Sequence, residues 1–413
     1  MTHPRLRRRS LSALALIAAA AATVVACGGS DDDSAVVEPA APAPPAAPSR
    51  AEQIAARTAY FGAENVNATT GDIRTDLVIM SWMTNTTFAA AINGKVVLLD
   101  AALMRRETAP GRTPTTLAEV VALMPSYIVI GKSTAGHADL AAHIAFRSGA
   151  AVIGAQEHCD AIEADARRQQ NWTGSAKLLK CTAVVPKDQA VGQAVQTLAL
   201  PDLNACLRAV MHSDASTTVA DPVLAADSFD YGQGSDARDL ALWPVGTAAS
   251  DGISTTGAVT SPSVLYHFSL GAGRNFGLVW NDRAGSLREQ APAVATLLRS
   301  LPKTDVHVGS VDVGNAAANG LRDAALYVQS VEPKIFFPAG HDAASQRKSA
   351  YNVGELMKRA LEFSMSNVGI NRMPEVRLNF DPTDYVKPHY MTFDPAASGW
   401  QQQGDRLSAT ACG

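Results

Sequence analysis

Four short stretches of the chain place imidazole and carboxylate side chains directly after apolar runs. Tyr127 to Ile130 leads into the polar loop Gly131 to Asp139, which carries Lys132, His137 and Asp139. Leu207 to Met211 leads into His212-Ser213-Asp214, Phe276 to Trp280 into Asn281-Asp282-Arg283, and Lys334 to Pro338 into Ala339-Gly340-His341-Asp342. Histidine nitrogens and carboxylate oxygens hold divalent metals or move protons near neutral pH, and ligand sites lie at the carboxyl ends of strands in open α/β sheets. Other chemistries lack their signatures: there is no Gly-x-Ser-x-Gly elbow and no P-loop.

The elements that must position these groups follow from periodicity. Leu77 to Met80 and Phe88 to Ile92 read as buried strands, Asn93-Gly94 as a hairpin turn, and Val96 to Leu99 as the strand that closes this meander at Asp100. Thr115 or Thr116 caps a helix with apolar positions at Leu117, Val120, Val121 and Met124, stopped by Pro125. The strand to Ile130, the His137 loop, a helix through Ala145 and a strand from Gly149 to Gly154 form a β-loop-α-β unit. Later come a strand over Leu207 to Met211, long loops from Ala226 to Thr256, a strand pair (Val264 to Ser269, Phe276 to Trp280) joined by a hairpin at Gly271 to Arg274, and a helix from Gly320 to Val331. His267 and His307 alternate within strands and read as strand residues, whereas His143 and His158 lie in or beside helical stretches and are expected at the surface.

This order of parts resembles the metallo-β-lactamase superfamily over roughly Leu77 to Asp342. The strands around Asn85 to Asp100 are similar to the family's opening, in which a hairpin leads to an acidic residue and a small one. The His137 segment resembles the one bearing the HxHxDH metal motif, and His212, Asp282 and His341 stand where its next histidine, bridging aspartate and final histidine would be. The resemblance implies an α/β fold, the αββα four-layer sandwich, in which zinc lowers the pKa of a bound water to about 7 and polarises the scissile group. It implies His137, His212, Asp282 and His341 as metal ligands, with Asp139 as ligand or general base and Asp282 in a catalytic role. The motif is degenerate. Counted from the strand end, His137 falls on its last histidine, and Lys132, Thr134 and Gly136 replace the other members; a competing register reads His137-Ala138-Asp139 as its middle. Lys132 stands as a substitute for a lost ligand, its ammonium lying where a cation would sit. One zinc ion is expected rather than two, or none at all. The expected function is a hydrolase-like domain acting on an ester, amide, lactone or phosphodiester of unknown small-molecule identity; the alternative is a non-catalytic pseudoenzyme that binds a ligand or partner without metal.

Residues 1–26 read as a lipoprotein signal peptide: Arg5, Arg7, Arg8 and Arg9 precede an apolar run, Leu11 to Val25, too short to span a bilayer. Val24-Val25-Ala26-Cys27 resembles a lipobox, which implies lipidation at Cys27 and a membrane as partner through the anchor. Residues 27–50, Gly/Asp-rich and then Ala/Pro-rich, form a tether. Residues 51–413 form a single domain with its core over about 77–345 and a C-terminal extension. The expected location is the bacterial cell envelope, facing the periplasm, with the outer membrane preferred because Gly28 rather than aspartate follows Cys27. Beyond Cys27, the cysteines Cys159, Cys181, Cys206 and Cys412 are too scattered for a zinc finger. Their even number is compatible with two disulfides in an oxidising compartment, with three pairings open. The 413 residues carry a net charge of −4 with 47% hydrophobic content, which argues against a nucleic-acid partner.

Overall fold

The computed structural model describes residues 47–103, 115–133, 137–138, 140–169, 179–213, 262–271, 275–311, 321–341, 350–368, 373–379, 384–388, 390–408 and 412. The segments expected to be signal peptide and most of the tether, Cys27, Asp139 and the stretch 226–256 expected to form loops lie outside them. No described helix is long and apolar enough to cross a membrane.

The first sheet is built from β1 (Val78–Thr84), β2 (Thr87–Ile92), β3 (Lys95–Leu99), β4 (Tyr127–Val129), β5 (Ala151–Ala155) and β6 (Lys180–Val185), with β14 (Thr392–Phe393) outside β1. The second contains β7 (Val195–Leu200), β8 (Ala205–His212), β9 (Ser263–Leu270), β10 (Phe276–Asn281), β11 (Val306–Ser310), β12 (Ile335–Ala339) and β13 (Glu375–Val376), in that order across the sheet. Each sheet is antiparallel in one half and parallel in the other: β1-β2-β3 against β3-β4-β5-β6, and β7-β8-β9-β10 against β10-β11-β12-β13. The helices are α1 (Arg50–Phe61), α2 (Leu117–Ala122), α3 (Ala141–Ser148), α4 (Gln156–Gln169), α5 (Pro292–Ser300), α6 (Arg322–Val331) and α7 (Ala350–Val368).

Strand alternation sorts side chains between two cores. On β9 and β10, Val264, Tyr266, Phe268, Phe276, Leu278 and Trp280 enter the core shared with the first sheet, whereas Leu265 and Val279 face the helices α5, α6 and α7. Helices α1 to α4 cover the other side of the first sheet. The result is the four-layer αββα sandwich, with Trp82 and Trp280 fully buried; burying a large apolar side chain contributes about 1.5–3 kcal/mol.

Local signals act as expected at several points. Asn93 and Gly94 both take positive φ and join β2 to β3, the conformation that a two-residue hairpin turn requires. Thr116 caps α2 in a capping box with Glu119, which settles the choice between the two threonines. The cysteines pair as Cys159–Cys181 and Cys206–Cys412, the second tying β8 to the chain end. Two expectations are corrected. His143 and His158 are buried rather than at the surface, because α3 packs between α2 and α4 and because the first turn of α4 folds back on β5. There His158 Nδ1 accepts the Ala155 N–H at 3.2 Å and Nε2 donates to the Pro262 carbonyl at 2.8 Å.

Candidate functional site

Strand β3 delivers Asp100 at its end, with φ +59° and no solvent exposure. Its Oδ1 accepts the Gly131 N–H at 2.9 Å and its Oδ2 lies 2.9 Å from His137 Nδ1. The backbone locks the His137 loop against the same strand end, since the Ala101 N–H donates to the His137 carbonyl at 2.6 Å and the Leu140 N–H to the Ala101 carbonyl at 3.0 Å. From the other sheet, β10 ends at Asn281 and presents Asp282 and Arg283. Asn281 holds this turn, donating from Nδ2 to the Arg283 carbonyl at 2.6 Å while its Oδ1 accepts from His307 Nε2 at 2.6 Å. A side chain at Gly131 would place its Cβ 2.5 Å from Asp282 Cγ and 2.9 Å from the Trp280 ring. Glycine there is what lets the two strand ends approach.

Asp100, His137 and Asp282 therefore converge, each offering a ligand atom within 4.8 Å of the others, all buried. His137 Nδ1 lies 3.2 Å from Asp282 Oδ2 as well, but hydrogen-bond geometry is met at Asp100 alone, and neither Asp282 oxygen has a hydrogen-bond partner among the described residues. On the far side of the ring, an Arg283 guanidinium N–H donates to His137 Nε2 at 3.1 Å. A guanidinium has no acceptor capacity, so Nε2 carries the lone pair and Nδ1 the proton. Burial pushes His137 down to about 4; Asp282 opposes this, and Arg283 and Lys132 add to it. Burial, then the neighbouring Asp100, pushes Asp282 up to about 6 against the attraction of His137, Arg283 and Lys132. The Lys132 ammonium is lowered by burial and then by Arg283, with Asp282 raising it.

The remaining sequence-predicted ligands do not join this group. His212, at the end of β8, turns Nδ1 to the Ser213 carbonyl at 3.0 Å and the Tyr327 hydroxyl at 2.8 Å, leaving a buried Nε2 with no partner among the described residues. Burial pushes it down to about 4. His341 follows Gly340, whose φ is +79°; its Nε2 donates to the Asn379 carbonyl at 2.9 Å and its ring stacks on Trp82 with centroids 5.1 Å apart. Among the described residues no metal-sized group of three contains either histidine. Asp139 lies outside those residues. Three participants lacked a signal strong enough to single them out in the sequence. Asp100 is marked only as the acidic residue closing the meander, Arg283 only as a turn residue, and Tyr327 as part of a helix.

The donor set does not fit a resident divalent ion. Zinc sites draw on three or four protein ligands whose histidine, cysteine and carboxylate lone pairs are free to point at the ion, and hard cations need six or more oxygens. Here the one histidine of the group has its proton on Asp100 and its lone pair on Arg283, Asp100 uses both oxygens within the protein, and Lys132 and Arg283 already supply positive charge beside Asp282.

No family model matches the chain, and no curated protein matches it. Among solved structures the chain is similar to Igni18, a metallo-hydrolase of the hyperthermophilic archaeon Ignicoccus hospitalis, at 12% identity over 77% of this chain and 98% of that one, with a TM-score of 0.43. It is also similar to the metallo-β-lactamase-fold protein YhfI of Bacillus subtilis, at 8% identity over 74% and 97% of the two chains and a TM-score of 0.38. A third is CmlA, a diiron β-hydroxylase of Streptomyces venezuelae, at 10% identity and a TM-score of 0.41, where the match covers 76% of this chain and 55% of CmlA. The first of these is described as a metallo-hydrolase and the second as a metallo-β-lactamase-fold protein, and the αββα assignment itself rests on the strand order and layering of this chain.

Proposed function

We propose that this chain is a lipid-anchored envelope protein of metallo-hydrolase-like fold that binds a ligand or partner through a metal-independent site, with Arg283 and Lys132 in the electrostatic place of a cation. One observation carries the reading: the Arg283 guanidinium sits 3.1 Å from His137 Nε2, on the lone pair that a metal would need. Positive groups beside buried carboxylates stabilise their ionised form, so Arg283 and Lys132 offset part of the cost that burial and Asp100 impose on Asp282 without an ion. The anchor at Cys27 and the periplasm-facing location belong to the same proposal, and two disulfides support an oxidising compartment. A second reading, the zinc-dependent hydrolase, is favoured by the two unpartnered Asp282 oxygens and by His212 Nε2, buried donors that a metal would satisfy.

Elemental mass spectrometry of the tag-free protein after growth in zinc-rich medium separates the two. The metal-independent reading expects far less than one metal per chain. Near-stoichiometric zinc that disappears in the Asp282→Ala, His212→Ala double variant overturns the metal-independent reading and supports the hydrolase instead. For the anchor, Cys27→Ser is expected to move the protein from the membrane fraction to the soluble one.

A further inference from the structure

Asn281 holds the turn that carries Asp282 and Arg283, and the group that holds Asn281 lies one strand away. Strand β11 runs parallel to β10, with Val279 opposite His307 and Asn281 opposite Gly309. Val306 and Val308 enter the core between the sheets, so alternation puts His307 on the other side, with Val279 and Phe336, which pack toward the helices. From there the ring reaches diagonally to Asn281, past a position that has no side chain. A Cβ at Gly309 would stand 2.7 Å from His307 Nε2 and 2.9 Å from the Phe336 ring. His307 Nε2 and Asn281 Oδ1 meet at 2.6 Å, with both residues only 1% exposed.

The protons on this pair follow from what each partner can do. The Arg283 carbonyl only accepts, so the Asn281 group 2.6 Å from it is Nδ2, and Oδ1 is the group that faces His307. An amide oxygen requires a donor. Burial pushes the His307 imidazole down to about 3, so the ring is neutral with one N–H, and that proton sits on Nε2. Nδ1 is then a bare lone pair, buried with no hydrogen-bond partner among the described residues. An apolar side chain would occupy the site without that cost. What the histidine supplies in return is one bond, to Asn281.

We propose that His307 is a positioning residue for the strand-end site: it fixes the Asn281 amide, and through it the Arg283 main chain, so that the guanidinium meets His137 Nε2. The inference rests on the metal-independent reading of that site. Arg283 carries a long, rotamer-rich side chain, and its guanidinium finds one nitrogen of a ring on the other sheet only from a fixed root. Gly309, His307 and Asn281 supply that root. Without the His307 donor, Asn281 Oδ1 is left buried and unpaired, the amide is released to turn, and the Arg283 carbonyl loses Nδ2.

Long-range proton–nitrogen NMR correlation of the histidine rings in the full chain tests each step. In the native protein His307 is expected as the Nε2–H tautomer; the Nδ1–H tautomer overturns the proposal, because it requires the Asn281 amide to face the other way. In His307→Leu, which fills the position without a donor, the His137 Nε2 resonance is expected to move downfield, the direction of a pyridine-type nitrogen that loses a donor. The His158 and His212 resonances are expected to stay in place, which a general loosening of the fold would not allow. His307→Gln, whose Nε2 can donate to Asn281, is expected to restore the native His137 signal. Gly309→Ala, which presses a methyl group on His307 Nε2, is expected to displace that signal in the same direction and serves if His307→Leu does not fold. The proposal is overturned if the His137 signal is unmoved in either folded variant, if it moves only together with those of His158 and His212, or if His307→Gln leaves it displaced. A native His137 Nε2 that accepts no hydrogen bond overturns the metal-independent reading itself, and the proposal with it, before any variant is compared.

Discussion

The polar strand ends of the two sheets meet different fates. At the junction of β3, β4 and β10, Asp100, His137, Asp282, Arg283 and Lys132 form one electrostatic unit that reaches from one sheet to the other. At the ends of β8 and β12, His212 and His341 hold positions in the chain similar to those of ligands, yet each ring is engaged elsewhere, by Tyr327 and Ser213 in one case and by Asn379 and Trp82 in the other. Backbone topology thus brings ligand-type residues to one rim, but side-chain partners decide whether they share a centre.

The largest break in this comparison is expected from Asp100→Ala. It strips the acceptor from the buried Gly131 N–H and from His137 Nδ1–H and leaves Arg283 and Lys132 with less negative charge to balance them. Breaking such a buried charged contact costs about 3–5 kcal/mol, which urea denaturation would register; a loss below about 1 kcal/mol would show that the unit does not hold the sheets together.

Asp282 sharpens the comparison through pH. Its folded pKa of about 6 lies above the unfolded value of about 3.9, so the folded state favours the protonated carboxyl. That contribution is gained as pH falls through 6, is complete below about 4, and becomes a penalty of up to about 3 kcal/mol above 6. Asp282→Asn removes the titration. The variant is expected to be about 2 kcal/mol more stable than the native chain at pH 7.5, with the difference shrinking as pH falls and gone below about pH 3.5, in paired denaturation curves. Both proteins should lose stability between pH 6.5 and 4, because His143, His158, His212 and His267 are buried with values of about 4, and the unfolded chain takes up protons that they refuse. A destabilised Asp282→Asn at pH 7.5 would mean that a cation stronger than Arg283 and Lys132 holds the ionised carboxylate.

The smallest effect belongs to the second region. Tyr327→Phe removes one hydroxyl from His212 Nδ1 while the Ser213 carbonyl remains as its partner, so the melting curve should report a loss of about 1 kcal/mol. A loss approaching that of Asp100→Ala would erase the distinction between the two regions.

Much of the scaffold is legible in the residues. The apolar runs before Ile130, His212, Asn281 and Ala339 read as strands, and they are strands. The less readable elements are those whose pattern is set by partial exposure: β6 and β7 alternate between exposed and half-buried positions and lack a continuous apolar run. Helix α1 carries a readable start in Ser49-x-x-Glu52, a complete capping box. At the site, His137 and Asp282 are legible because a polar residue directly after a strand is conspicuous. Arg283 is not, because its role depends on a ring contributed by a residue 146 positions earlier in the chain. Another non-local contact inverts the expected environment of His158, which a carbonyl from Pro262 satisfies.

The central claim concerns one nitrogen atom. Long-range proton–nitrogen NMR correlation of the histidine rings in the native protein reads its state directly. The account predicts that His137 is the Nδ1–H tautomer at neutral pH, with an Nε2 resonance of a hydrogen-bond acceptor that neither one equivalent of zinc nor a chelator shifts. A zinc-dependent displacement of the Nε2 signal at one equivalent, reversed by chelator, would contradict it.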